Sequence, residues 1–229
     1  MFPPLRACPV LPPGAVLRGV KAAMAEVRLP MSTAAWSALA RSCRELSGAV
    51  RVLVVRFEPA GPSEVTRPST SSSPPPDVES SLDALARLDL VSVAVVDAEL
   101  GGPALAIALA CDLRVWSVDG GVRASAEAMG CLGRLADLVG YSRAVELCLT
   151  GRQLHAAEAV SLGLATVAVA PEQVDAAIDD LVCAVIATPR HEAIELKATL
   201  SSSDLDSAAR ARRVRAELAA AARLAGEHE

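Results

Sequence analysis

Two stretches of this chain, "VRVLVVRF" over residues 50–57 and "VSVAVV" over 91–96, constrain its fold more than anything else in it. Both are nearly unbroken runs of aliphatic and β-branched residues. A strand with one face in water alternates apolar and polar residues, so a run without alternation has to be covered on both faces. That is the condition of a strand inside a parallel sheet flanked by helices. Parallel neighbours need crossovers, and the intervening segments supply them. "MSTAAWSALARSCREL" places Ser32 or Thr33 ahead of Ala35, Leu39, Cys43 and Leu46 at helical spacing and ends near Gly48. "VESSLDALARLDL" reads as a second helix and "GPALAIALACDL" as a third, after which "RVWSVD" returns to the sheet and Gly120 and Gly121 make a turn. This alternation predicts an α/β unit with right-handed crossovers.

The flanks are of a different kind. "AVLRGVKAAMAEVRLP" predicts edge strands in a hairpin stopping at Pro30, and residues 59–77, rich in proline, serine and threonine, predict a flexible loop. From Ala126 onward the pattern is helical apart from one short strand, "LATVAVA". With 229 residues the chain is long enough to bury a core, and at 52% hydrophobic but 2% aromatic that core has to be built from alanine, valine and leucine.

Charge and cysteine usage exclude several classes of function. A net charge of −5 gives no basic footprint for nucleic acid. Six cysteines without CxxC spacing fit reduced thiols and a cytoplasmic location, and His155, His191 and His228 are too dispersed to predict a metal site. No apolar run approaches the ~20 residues that span a bilayer, and the proline-rich start reads as a loose arm, so no membrane partner is expected.

The stretch "ELGGPALAIALACDLRV" raises the question of function. A helix start behind a strand presents unpaired backbone N–H groups and a positive dipole end, and glycines let a ligand approach it. Gly101 and Gly102 equally serve as a turn before a proline-started helix. The surrounding residues favour a ligand site. "GGPALAIALACDLRV", then "ASAEAMG", then "LADLVGYSRAVELCLTGRQLHAAEAVSLGLATVAVAPEQVDAAI" resembles the crotonase superfamily, the enoyl-CoA hydratases and isomerases, across about residues 48–200.

The resemblance implies a crotonase-like ββα-spiral core over residues 1–180 and a C-terminal helical region over 181–229. It implies a homotrimer or hexamer that binds an acyl-CoA thioester with no other cofactor. Family chemistry needs two backbone N–H donors on the thioester oxygen. Counting back from Cys111-Asp112, the usual donor falls on or beside Pro103, which has no N–H, so Gly102 or Ala104 has to substitute, with Gly101 beside them. The loop that normally carries the other donor has no counterpart in "EPAGPSEVTRPSTSSSPPPD".

One family glutamate matches Ala106, and the second matches Glu127 if the Gly120-Gly121 turn holds an extra residue, making Glu127 the candidate acid or base. Asp112 is expected to be structural, and Arg212, Arg213 and Arg215 are candidates to approach a CoA phosphate. Two functions follow from the resemblance. One is an acyl-CoA enzyme with weak or redirected hydratase, dehydratase or isomerase chemistry. The other is a non-catalytic auxiliary subunit assisting a partner such as a type III polyketide synthase. A structural protein without a ligand is a third reading of the alanine-rich helices.

Overall fold

The structure, a computed structural model, describes residues 23–31, 34–46, 49–58, 81, 82, 85, 90–124 and 132–200. Its elements are β1 (Met24–Pro30), α1 (Ala34–Glu45), β2 (Val52–Glu58), β3 (Val91–Val96), β4 (Glu99–Leu100), α2 (Gly102–Ala110), β5 (Leu113–Ser117), β6 (Gly121–Arg123), α3 (Leu132–Val139), α4 (Tyr141–Thr150), β7 (Gln153–His155), α5 (Ala156–Ser161), β8 (Val167–Val169) and α6 (Val174–Ala187). Residues 190–200 are helical. Among the described residues no helix is long and apolar enough to cross a membrane.

Five strands form one sheet in the order β1-β2-β3-β5-β8, every pair parallel. The order follows the chain, so each crossover adds one strand at the same edge and the fold advances as a spiral. Strand periodicity then sorts the apolar runs onto two faces. Leu53, Val55, Phe57, Ala94, Val96 and Trp116 turn toward a core shared with α1 and α2. Val52, Val54, Val93, Val95 and Val115 turn the other way, against Val174, Ile178 and Val182 of α6. The two runs are therefore buried on both faces, as their lack of alternation predicts. β1 lies at the sheet edge, and its neighbour β2 is parallel to it; the rest of the predicted hairpin and all of the predicted loop over 59–77 lie outside the described residues.

Two arginines, one just before β2 and one on it, fix α6 across the sheet face. Arg51, one residue before the strand, donates from Nη1 to the carbonyl of Ile186 (3.0 Å) and from Nη2 to those of Val185 (2.9 Å) and Thr188 (2.7 Å), at the C-terminal end of the helix. Arg56, near the strand's other end, pairs with Asp175 in the first turn of α6, with Glu26 of β1 (3.5 Å) and with Asp97 (3.8 Å). The spans agree. The five residue steps from Arg51 to Arg56 cover about 16.5 Å of extended chain, and so do the eleven helical steps from Asp175 to Ile186. The helix thus runs antiparallel to β2, a cation at its negative end and a carboxylate at its positive end.

A second sheet, β4-β6-β7, is smaller. β4 and β6 are parallel, β6 and β7 antiparallel, with Leu100, Val122 and Leu154 side by side and buried. Glu99, Arg123, Gln153 and His155 take the opposite face. The predicted turn into this sheet depends on Gly120, where a Cβ would lie 2.1 Å from the Val96 carbonyl oxygen.

Replacing Arg51 with Met leaves three α6 carbonyls without their charged donor. Hydrogen bonds to charged groups contribute about 1.5–3 kcal/mol, so Arg51→Met is expected to lower unfolding free energy by about 2 kcal/mol in urea titration.

Candidate functional site

The chain leaves β4 at Leu100 and enters α2 through two glycines. Gly101 is the N-cap, extended at φ −145° and ψ 175°, and no side chain caps the helix. Gly102, the first helical residue, has φ +48°, in the left-handed region that only glycine enters without strain. A Cβ on Gly102 would meet no atom within 4 Å, so backbone conformation rather than crowding selects glycine, and the space in front of it is open. Pro103 is the second helical residue, one position later than the first helical position its sequence suggests. Its missing N–H breaks no helical bond there, because the first N–H groups of a helix have no carbonyl behind them.

The first intrahelical bond runs from Leu105 N–H to the Gly101 carbonyl at 3.3 Å. Gly102 and Ala104 are thus the residues of the first turn whose N–H groups lack an intrahelical acceptor. No acidic side chain occupies that turn, and Ala104 to Leu109 are all buried. The positive end of α2 is therefore left uncompensated within its own first turn, and the body of the helix behind it is apolar on all sides. Such an end accepts an anion or a polarised carbonyl oxygen.

Other candidates fare differently. Glu127 lies outside the described residues. Ala106 is buried in the core and puts no carboxylate beside the helix start. Arg212, Arg213 and Arg215 also lie outside the described residues. Asp112, expected to be structural, is held as a half-buried anchor: Oδ2 accepts from Ser92 N–H (2.8 Å), Ser92 Oγ (2.9 Å) and Lys197 Nζ (2.9 Å), while its own N–H donates to Ser92 Oγ (3.0 Å). Lys197 also donates to the Leu90 carbonyl at 2.5 Å, which fastens helical residues 190–200 to the start of β3. Cys111 beside it is fully buried; burial first, and then the Asp112 charge, push its thiol up to about 12, so it is inert at neutral pH. Among the described residues no group of three or more His, Cys, Asp or Glu side chains is placed to hold a metal ion.

The "LTGRQLHAAEA" segment is a clasp. Gly151 takes φ 59° after α4, and Arg152 then reaches both neighbouring helices. Its guanidinium donates to Glu146 of α4 (Nε to Oε1, 2.6 Å) and to Glu158 of α5 (Nη2 to Oε1, 2.6 Å; Nη1 to Oε2, 2.8 Å). Those hydrogen bonds hold both carboxyls below the ordinary carboxylate range and raise the guanidinium pKa. Two polar residues near α2 carry no sequence signal. Glu99 and Arg123 pair at 2.9 Å beside Gly101, on strands of two and three residues that are too short to show a pattern.

The family model of enoyl-CoA hydratase/isomerase matches residues 64–223, more than half of the chain. Among solved structures, a protein from Thermobifida fusca YX described as an enoyl-CoA hydratase, in complex with CoA, is 30% identical over 91% of this chain and 97% of that one, with a TM-score of 0.65. Its complex with acetoacetyl-CoA matches at 29% identity over 90% of this chain and 98% of that one, with the same TM-score of 0.65. A monofunctional enoyl CoA isomerase from M. smegmatis is 26% identical over 79% and 88% of the two chains, with a TM-score of 0.67. A sequence search of curated proteins finds no significant match.

The clasp sets a dependence on pH. Unfolding returns Glu146 and Glu158 to ordinary carboxyl behaviour near 4.5, so as pH falls the unfolded chain takes up protons first. The stabilisation is complete above that range and is lost as pH drops through the depressed folded values. In melting curves from pH 7 to pH 3, Arg152→Met is expected to melt lower at pH 7 and to lose less on acidification than the parent.

Proposed function

Because the chain belongs to the enoyl-CoA hydratase/isomerase family, we propose that it binds an acyl-CoA thioester with the thioester oxygen at the start of α2. The observation that carries this reading is the open, uncompensated helix end formed by Gly101, Gly102 and Ala104. The N–H groups of Gly102 and Ala104 flank the position of Pro103 and donate to the oxygen, where the positive dipole end stabilises charge developing toward an enolate. Glu127 moves the proton at the acyl chain, and water addition, water loss or a double-bond shift follows according to where that proton is taken or returned.

Two substitutions weaken this chemistry. Pro103 removes the middle donor of the turn, and removing one oxyanion donor costs about 10²- to 10³-fold in kcat. Ala106 leaves the position of the family's other glutamate unable to transfer a proton. The activity is therefore weak or redirected, in a trimer or hexamer as the family relationship supports. The same two residues favour a second reading, an auxiliary subunit that holds the thioester while a partner such as a type III polyketide synthase performs the reaction.

Isothermal calorimetry with acetoacetyl-CoA tests the binding site, and failure of the parent protein to bind it ends both readings. Glu127→Gln is expected to keep that affinity and abolish hydration of crotonyl-CoA; undiminished turnover removes Glu127 from the mechanism. Pro103→Gly restores an N–H at the middle of the turn and is expected to raise turnover at least about tenfold. A parent protein that binds but turns nothing over, and accelerates a synthase when mixed with it, establishes the auxiliary reading instead.

A further inference from the structure

The small sheet brings Arg123 beside the entrance of α2, where the thioester site is proposed. β4 and β6 are parallel with Leu100 opposite Val122, so the next residues along, Gly101 and Arg123, are neighbours. The alternation that buries Leu100 and Val122 sends Gly101 and Arg123 to the other face, with Glu99 and Gln153. Gly101 has no side chain, and a Cβ there would touch only the Arg123 carbonyl oxygen, at 3.7 Å. Open space over Gly101 is therefore bordered by the Arg123 backbone, and the arginine side chain leaves its strand on the same face.

The guanidinium is fixed at two points. Its Nε–H donates to Glu99 Oε1 at 2.9 Å and its Nη1 to the Gly151 carbonyl at 2.8 Å. Arginine carries five N–H donors, so three are unused among the described residues, on a side chain that is 51% exposed. Glu99 neutralises the charge while leaving those donors in place. A fixed, charge-compensated donor fork suits a neutral oxygen. An alkyl chain laid against it leaves polar groups without water or partner, and a carboxylate meets the repulsion of Glu99.

We infer that Arg123 is a specificity residue, and that the ligand is an acyl-CoA with a neutral oxo or hydroxy oxygen on its acyl chain in preference to alkyl or carboxy-acyl thioesters. The inference rests on the thioester site proposed above and deepens it. Calorimetry with three four-carbon thioesters, acetoacetyl-CoA, butyryl-CoA and succinyl-CoA, reads it directly. The parent protein is expected to prefer acetoacetyl-CoA over each of the others about tenfold. Arg123→Met is expected to bring acetoacetyl-CoA down to the butyryl-CoA level while butyryl-CoA stays within about twofold, a change in ratio that loss of the Gly151 contact alone does not produce. Glu99→Gln, which keeps the arginine, is expected to raise succinyl-CoA relative to acetoacetyl-CoA and covers the case in which Arg123→Met fails to fold. Equal affinities in the parent, a preference surviving Arg123→Met, or an unchanged succinyl ratio in Glu99→Gln overturns the assignment. Absence of binding for all three in the parent overturns the thioester site itself.

Discussion

A parallel sheet needs both faces covered, and in this chain one cover depends on two arginines. Without α6, Val52, Val54, Val93, Val95 and Val115 would form a flat apolar surface in water. Arg51, just before β2, and Arg56 on it grip that helix at its two ends, at a separation where strand and helix lengths match. The contacts are directional as well as electrostatic, so they fix the helix's orientation along with its position. Sealing this face leaves the other for function. The crossover helices collect there, including α2 with its open start.

The main sheet was legible because its signal is local. Each apolar residue of β2 and β3 reports burial on its own, and the apolar spacing of α1 reports its buried face. The glycine pair before α2 was legible for the same reason, since a positive-φ residue leaves its mark at one position. What could not be read is long-range. Arg51 finds its acceptors 134 to 137 residues away, Lys197 finds Asp112 across 85, and Arg114 finds the Leu164 carbonyl across 50. No periodicity encodes such partners. β7 was hidden inside a turn between helices, and β4 has two residues, too few to alternate. The neighbourhood of Gly101 and Arg123 therefore exists only as a consequence of register, and sequence reasoning about the glycines had no means of reaching the arginine.

Pro103 is the feature on which the site turns. A proline in the first helical turn is structurally inexpensive, because the N–H it lacks would have had no helical partner. The same absence matters for a ligand, which would use that N–H. Helix stability and ligand stabilisation thus respond to one residue in opposite ways, and a chain under pressure only to fold has no reason to avoid it.

Catalysis needs an interaction that strengthens between ground state and transition state. On the proposed reading the dipole end of α2 acts on a thioester oxygen in both states, so it serves as a binding element even when a donor is missing. Proton transfer belongs almost wholly to the transition state, and it is there that Ala106 offers nothing. On that reading Pro103 and Ala106 fall unequally: one thins the electrostatic cradle, the other removes a chemical group. A site of the proposed kind keeps more of its capacity to hold a thioester than to transform it, and recognition by neighbouring polar groups, Arg123 as proposed, then carries a larger share of what distinguishes one acyl chain from another.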